Sequence, residues 1–420
     1  MPKGDWWSPV CLVIPCLPRY NRRLRSLLPL AALSVSVRTN GGILRSCLEV
    51  WLVSGPIIAA VGDLQLGDSP TTVGYGVYSR YGGGSLSALF GDAGPVFSRA
   101  DLVFGNLETV LSPPPVGAHG RAALQLRGQP EFAADLKEAG FTVVNVANNH
   151  TAQHGEEAFR ATVAALRVNG IACCGIRGSG DWVSKPATLV VAGQTISLVG
   201  YSLRPRQYGS EVPPYAEGSR EGICRDVERL IAGGATVIVS LHWGEEFVPY
   251  PSRDEVELGH AIIDAGASLV LGHHPHVTRP VERYKSGLIA YSLGNFMGDM
   301  TWYAPFRQGT VLQCVIGPKR VTDVSLIPTQ LGTDYRPKLG SPSSDMLIPE
   351  GQLVGLDAAE YERRIRATWR RQRIAAYVSA VVNLPRTPPR VFAQLAKDTL
   401  RNKFDGLRLR LRPRVGESQR

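Results

Sequence analysis

No run of about 18 or more apolar residues occurs anywhere in the chain, so no segment reads as a classical membrane-spanning helix. The seven cysteines (Cys11, Cys16, Cys47, Cys173, Cys174, Cys224 and Cys314) are odd in number and include no C-x-x-C pair. In a chain of 420 residues that speaks against a disulfide framework and for reduced, mostly buried thiols. The adjacent Cys173 and Cys174 read as core packing ahead of a soft-metal site. No internal repeat is evident, and Gly82-Gly83-Gly84-Ser85 is too isolated to be a phosphate cradle. What remains is ordinary globular material. Hydrophobic residues make up 44% and charged residues 20%, which excludes a fibrous or wholly disordered chain. There is ample apolar surface for a buried core, in one large domain with extensions or in two to three domains.

Acidic residues are also missing locally: none stands between Asp5 and Glu49. The net charge of +10 is uneven, with residues 1–55 carrying 7 basic and 2 acidic groups and residues 356–420 carrying 16 and 6. The middle is left with 23 basic against 28 acidic groups, an ordinary, slightly acidic domain. Basic ends of this kind meet an anionic lipid surface or an acidic polymer, or simply solubilise the chain; nucleic acid is not the expected partner. Arg19, Arg22, Arg23 and Arg25 precede a short apolar run at 27–37, the outline of a secretory signal. The fit is poor, because about 25 residues precede the run and no small-residue cleavage site follows. We therefore expect a leader or disordered segment at 1–55, a folded domain at 56–345 and a basic helical tail at 346–420. Both a cytoplasmic and a membrane-associated location fit.

From Pro56 the pattern becomes regular. Short apolar runs at 57–61, 102–104, 142–147, 196–201, 237–241, 269–271 and 288–291 predict strands. Amphipathic stretches at 131–139, 156–168 and 254–265 predict helices, and Gly140, Gly170 and Gly266 stand where C-cap glycines belong. Strands alternating with helices indicate an α/β domain with largely buried sheets. In the tail, 360–379 has helical spacing, with Arg363, Arg364, Arg366, Arg370, Arg371 and Arg373 among Trp369 and Tyr377. Pro385, Pro388 and Pro389 break it, and a second basic helix is expected at 391–411. Such a helix can lie on an anionic membrane surface or pack on the domain or on a second subunit.

The chemistry stands directly after the strands. The run at 57–61 leads into Gly62-Asp63, and that at 102–104 into Gly105-Asn106-Leu107-Glu108. The next leads into Asn148-Asn149-His150, then His242-Trp243-Gly244, then Gly272-His273-His274-Pro275-His276. Each alone is a turn or a polar loop. Together they hold five of the eight histidines in the chain. Ligands gather outside the carboxyl ends of strands in open α/β sheets, so these five sets should converge in one crevice. Carboxylate, imidazole and amide oxygen suit divalent Mn, Fe or Zn, and the lack of thiolates disfavours a structural zinc site. Two such ions about 3.5–4 Å apart can clamp a phosphoryl group and acidify a bridging water. Asp63 and Glu108 are the carboxylates available to bridge them, and a histidine beside the metals can protonate a leaving oxygen.

These segments resemble the CapA family, capsule-synthesis and poly-γ-glutamate-associated proteins with a calcineurin-like metallophosphatase fold. Ser292-Leu293-Gly294-Asn295-Phe296 is similar to the segment that follows in that family, as is the stretch from Arg127 to Gly155. The likeness runs in consistent order over about residues 56–330 and leaves out 1–55 and 345–420. It implies a four-layer α/β/β/α sandwich with two divalent ions at one edge. By analogy Asp63, His242, His274 and His276 are metal ligands, with His273 as the alternative to His274. Asn149 binds one metal, Glu108 or Asn106 bridges or supports, and His150 is the general acid. Arg127 and Asn106 are the substrate-binding candidates, Arg127 for a substrate anion, with an exposed ion pair as its plainer reading. Two departures stand out. The wider superfamily opens with Asp-x-His, whereas Gln65 stands two residues after Asp63. The family's Asp three residues after the His of Asn-His is replaced by Gln153, followed by His154.

The implied function is a metal-dependent phosphoester hydrolase linked to capsule or poly-γ-glutamate synthesis, acting on a phosphoester or anionic polymer beside the capsule-synthesis machinery. Its rivals are a non-catalytic accessory subunit for anionic-polymer assembly or export, and a metal-dependent γ-glutamyl amidase.

Overall fold

The computed structural model describes residues 34–39, 42–47, 55–116, 121–204, 212–317, 320–389 and 393. The chain divides into two units, Met1–Ser54 and Gly55–Arg420. In the first, β1 (Ser34–Thr39) pairs antiparallel with β2 (Gly42–Cys47).

The second unit alternates strands and helices. It opens with β3 (Ile57–Leu64), α1 (Val77–Tyr81), α2 (Gly94–Phe97), β4 (Leu102–Leu107), β5 (Val110–Leu111), α3 (Arg121–Leu124) and β6 (Arg127–Gly128). Then come α4 (Phe132–Ala139), β7 (Val143–Asn145), α5 (Gly155–Val168), β8 (Ala172–Cys174), β9 (Ala187–Val191) and β10 (Gln194–Ser202). Next are α6 (Arg220–Ala232), β11 (Thr236–His242), α7 (Arg253–Asp264), β12 (Leu269–His273), β13 (Val281–Tyr284) and β14 (Gly287–Ala290). The last are β15 (Asn295–Met297), β16 (Gln308–Ile316), β17 (Val321–Leu331), β18 (Pro337–Leu339), β19 (Leu347–Ile348) and α8 (Ala358–Val382).

Two large sheets result, in the orders β18-β17-β16-β3-β4-β7-β8 and β19-β13-β14-β12-β11-β10-β9. Three apolar layers separate four structural ones. Ile58, Leu102 and Phe104 of the first sheet and Ile196, Ile238, Leu269 and Leu288 of the second fill one cluster between the sheets. Val103 and Val144 meet Leu136, Phe159 and Val163 of α4 and α5 on the outer face of the first sheet. Val239 and Val270 meet Val227 and Ile262 of α6 and α7 on the outer face of the second. This is the expected four-layer α/β/β/α sandwich.

The expected helices form one residue off their predicted starts, at Phe132–Ala139, Gly155–Val168 and Arg253–Asp264. Gly140, Gly170 and Gly266 take φ of 109°, 69° and 111°, the left-handed geometry that closes each of them. Ser252 starts α7 with a capping box, accepting from Glu255 N while the Glu255 side chain accepts from Ser252 N. Cys173 and Cys174 are buried in β8, one on each face, and they are free thiols like Cys224 and Cys314. The predicted tail helix is present as α8, opened by Asp357, which accepts from Glu360 N at 2.9 Å. The second helix expected at 391–411 lies outside the described residues except for position 393. Among the described residues no helix is long and apolar enough to cross a membrane.

Candidate metal centre

Strand alternation carries the polar ends into the space between the sheets. In β4, Leu102 and Phe104 point to the inter-sheet core, so Asn106 follows them on the same face. In β11, Ile238 lies in that core while Val237, Val239 and Leu241 face the helices, which turns His242 inward. In β12, Leu269 and Leu271 lead to His273, whose ring packs 5.6 Å from Phe104. The strands β11 and β12 run parallel and pair His242 with His273.

β3 breaks the rule. Ala59 and Val61 face the helices, so unbroken alternation would send Asp63 outward as well. A register shift between Ala60 and Asp63 reverses the parity and brings Asp63 opposite Asn106. The backbone can do this because Gly62 lies against Gly294, where an added Cβ would sit 1.9 Å from the Gly294 carbonyl oxygen. Asp63 N donates to that same oxygen at 2.9 Å.

The sequence-predicted residues meet. Asn106 Nδ2 donates to Asp63 Oδ1 at 2.8 Å and lies 3.4 Å from Glu108 Oε1 and from His242 Nδ1. Its Oδ1 accepts from Asn145 Nδ2 at 2.9 Å, which fixes the amide's orientation. His242 Nδ1 lies 3.6 Å from Glu108 Oε1, and its Nε2 lies 2.7 Å from Asn149 Oδ1. His276 Nδ1 is 3.2 Å from Asp63 Oδ2 and its Nε2 is 3.9 Å from Glu108 Oε2. The His242 and His274 rings stand 4.7 Å apart. Two donor sets form, Asp63–Glu108–His242 and Glu246–His274–His276, each with ligand atoms within 4.8 Å of one another. His274 and His276 take φ of 94° and 56°, a left-handed backbone that such residues adopt only when held there.

Charge is concentrated in this pocket. Burial would raise Asp63, but hydrogen bonds and positive charge from His273 and His276 hold its carboxyl well below the usual range. Burial and then the charge of Asp63 push Glu108 up to about 8. Burial works to lower His276, yet Glu108, Asp63 and Glu246 outweigh it and lift the imidazole to about 10. Burial drives His242 and His274 well below the ordinary histidine value, so both stay neutral, the form that ligates metal. His150 falls to about 4 for the same reason.

The donor set fits divalent cations. Both ring nitrogens of His274 lack a hydrogen-bond partner although the residue is only 1% exposed, while His273 Nδ1 lies 3.5 Å from Asp63 Oδ1. Leaving such a nitrogen unpaired costs about 1–3 kcal/mol, a loss that a cation at its lone pair removes. Buried carboxylates beside imidazoles are donors that a divalent cation accepts.

His150 stands beside the two donor sets, its Nε2 3.4 Å from Asn149 Nδ2. Gln153, where the resemblance predicts an aspartate, meets His150 Nδ1 with its Oε1 at 3.0 Å. Gln65 Nε2 donates to Glu108 Oε2 at 2.9 Å, so the position of the missing imidazole holds the carboxylate in place. Arg127 is buried, and its Nη1 donates to the carbonyls of Ser112 and Pro113 at 2.9 and 3.0 Å, committing the guanidinium to that turn. This overturns its reading as an exposed ion-pairing arginine.

Two residues of the site have no role assigned from sequence: Glu246 is not singled out there, and Asn295 enters only within the family-like segment 292–296. Glu246 lies four positions beyond His242, in the loop that leaves β11 and past the His242-Trp243-Gly244 motif. A carboxylate in a histidine-bearing loop was the available signal. Asn295 begins β15, and its Oδ1 accepts from His276 Nδ1 at 2.9 Å, orienting the ring.

The family model for "Bacterial capsule synthesis protein PGA_cap" matches residues 57–300, which span every site residue above. The chain is 28% identical over 251 residues to the "Capsule biosynthesis protein CapA" of Bacillus anthracis, covering 58% of this chain and 59% of that one. It is 29% identical over 219 residues to the "PGA biosynthesis protein CapA" of Bacillus subtilis, covering 51% and 58%. A Mycobacterium tuberculosis protein named "Probable polyglutamine synthesis accessory protein" is 29% identical over 217 residues, covering 48% and 57%. The chain thus spans a little under three fifths of the length of these relatives. With more than half its length matched by the family model, the chain belongs to the bacterial capsule synthesis protein family PGA_cap.

Proposed function

We propose that this chain is a phosphoester hydrolase working with two divalent metal ions in capsule or poly-γ-glutamate synthesis. The observation that carries the reading is the meeting of the two donor sets, Asp63–Glu108–His242 and Glu246–His274–His276, with His150 at their side. The metal ions, when bound, supply Lewis-acid polarisation of a phosphoryl oxygen and lower the pKa of a bound water.

The protein's own groups supply the rest. The cations would be held through the carboxylates of Asp63 and Glu108, a bound cation displacing the proton that Glu108 otherwise keeps, and through the neutral rings of His242 and His274. Asn106 and Gln65 fix the two carboxylates, and Asn295 fixes His276. Gln153 Oε1 accepts from His150 Nδ1–H, which leaves Nε2 facing the Asn149 amide as the proton-exchanging atom. His150 is neutral when buried alone. An anionic phosphoester beside it raises its proton affinity, so it reaches its acid form only with substrate in place.

Two features favour the reading of a non-catalytic accessory subunit. Gln65 stands where an imidazole ligand is usual, and the M. tuberculosis relative carries the accessory name. The purified chain, loaded with Mn, Fe or Zn in turn, is assayed on aryl phosphate mono- and diesters and on a γ-glutamyl anilide. Phosphate release lost in His150→Ala and His242→Ala supports the hydrolase. Bound metal with no turnover on any substrate supports the accessory role, and anilide release alone supports the amidase.

A further inference from the structure

The helix α8 has two unlike long faces. Its inner face is anchored. Tyr361 Oη donates to Glu255 Oε2 at 3.0 Å and accepts from Glu245 N and Arg279 Nη2 at 3.0 and 3.1 Å. Gln372 is buried, and Trp369 packs 5.1 Å from the ring of Phe247, which in turn lies 6.3 Å from His276.

The opposite face, read in steps of three and four, runs Arg363, Ala367, Arg370, Ile374, Val378 and Val381. It begins cationic and ends apolar. Ile374, Val378, Val381 and Val382 are 59%, 60%, 68% and 70% exposed, in a stripe that Tyr377 and Leu384 widen. Aliphatic residues grouped like this on one helix face mark an interaction surface. Arg363 and Arg364 pair with Glu360 and Arg366 with Glu362, whereas Arg370 and Arg371 have no acidic partner among the described residues.

We propose that this face of α8 lies flat on an anionic lipid surface, with Ile374, Val378, Val381 and Val382 inserted at the acyl boundary and Arg370 and Arg371 on headgroup phosphates. The combination of charge and greasy surface selects the occupant. A soluble polyanion would engage the arginines and leave the aliphatic stripe in water. A second copy docking through the same face would bring its arginines against these, and like charges repel. The chain's own residues 383–420 carry 10 basic and 3 acidic groups, so they too are repelled by this face and add to the attraction for anionic lipid. The helix lies on the bilayer and does not cross it. Because Trp369 and Phe247 link α8 to His276, docking holds the metal centre at a fixed place beside the membrane.

The test is flotation of the full chain with vesicles of phosphatidylcholine alone and with about 30% phosphatidylglycerol, at about 0.1 M and 0.5 M salt. We expect binding only to the anionic vesicles, weakened at least about tenfold by high salt, by the triple variant I374S/V378S/V381S and by R370E/R371E. Equal binding of wild type and both variants, or no binding of the wild type, overturns the proposal. So does a concentration-dependent dimer in sedimentation that the triple variant abolishes. Hydrolysis of a soluble aryl phosphate stays unchanged in these variants. Because lipid binding is read without turnover, it stands or falls separately from the hydrolase reading.

Discussion

His242 Nε2 lies 2.7 Å from Asn149 Oδ1, across 93 positions of chain, and so joins the strand end of one sheet to the loop leaving the other. The contact links residues that no local propensity could bring together. An ion bound beside it would be held by both sheets at once, which would couple metal binding to the closure of the sandwich edge.

Removing ligands therefore divides the two donor sets. His242→Ala is expected to weaken metal retention on the Asp63–Glu108 side, and Glu246→Gln on the His274–His276 side. Each loss should be at least the roughly 10- to 100-fold that a lost supporting partner costs. Elemental analysis after dialysis against a weak chelator checks this. Unchanged metal content in both variants would rule out the assignment.

His150→Ala should leave metal content intact and lower phosphoester turnover by about 10²–10⁴-fold, the usual worth of a positioned proton donor. Gln153→Ala, which removes only the partner of His150 Nδ1, should lower it less. A chelator-resistant variant with full activity would show that His150 moves no proton.

Gly62→Ala places a methyl group 1.9 Å from the Gly294 oxygen, against backbone that cannot rotate away. We expect a loss of about 1–3 kcal/mol in denaturant unfolding, as for other overpacked sites. Metal affinity should fall with it, because Asp63 is the next residue. Wild-type stability would mean that the bulge tolerates other geometries.

Asp299 gives a pH test outside the centre. Burial and then the charge of Asp68 raise its carboxyl from 3.8 to about 6, against hydrogen bonds from Thr72 and Ser69. The folded chain thus holds this proton more tightly than the unfolded one. Its contribution to stability is full below about pH 4 and is lost as pH rises through 6, by on the order of 3 kcal/mol. Asp299→Asn carries no such proton, so its stability should fall less between pH 4.5 and 7. Denaturant midpoints at the two pH values compare the slopes, and parallel slopes would refute the assignment.

Much of the site was legible because strand ends concentrate polar residues. Asp63, Glu108, Asn149, His242, His274 and His276 each follow an apolar run, and the structure brings them together as two adjoining donor groups with Asn149 on His242. Glu246 was not legible, since it lies in a loop whose path depends on Phe247 packing against Phe306 and His276. The hairpin β16–β17 was missed as well. Pro328 interrupts the apolar pattern of β17 but sits opposite Thr310 within the antiparallel ladder.

The sequence by itself determined the alternation of strand and helix, the capping glycines and the inventory of metal-binding groups, because hydrophobic period and side-chain chemistry are local properties. Only the tertiary structure decided which way Asp63 points, for the register shift at Gly62 depends on the approach of Gly294 from the distant segment before β15. It also decided the fate of Arg127, whose burial against the Ser112–Pro113 carbonyls withdraws the guanidinium from solvent. The first outcome rests on a contact between residues far apart in the chain and the second on how a loop folds back on itself, and no hydrophobic period encodes either.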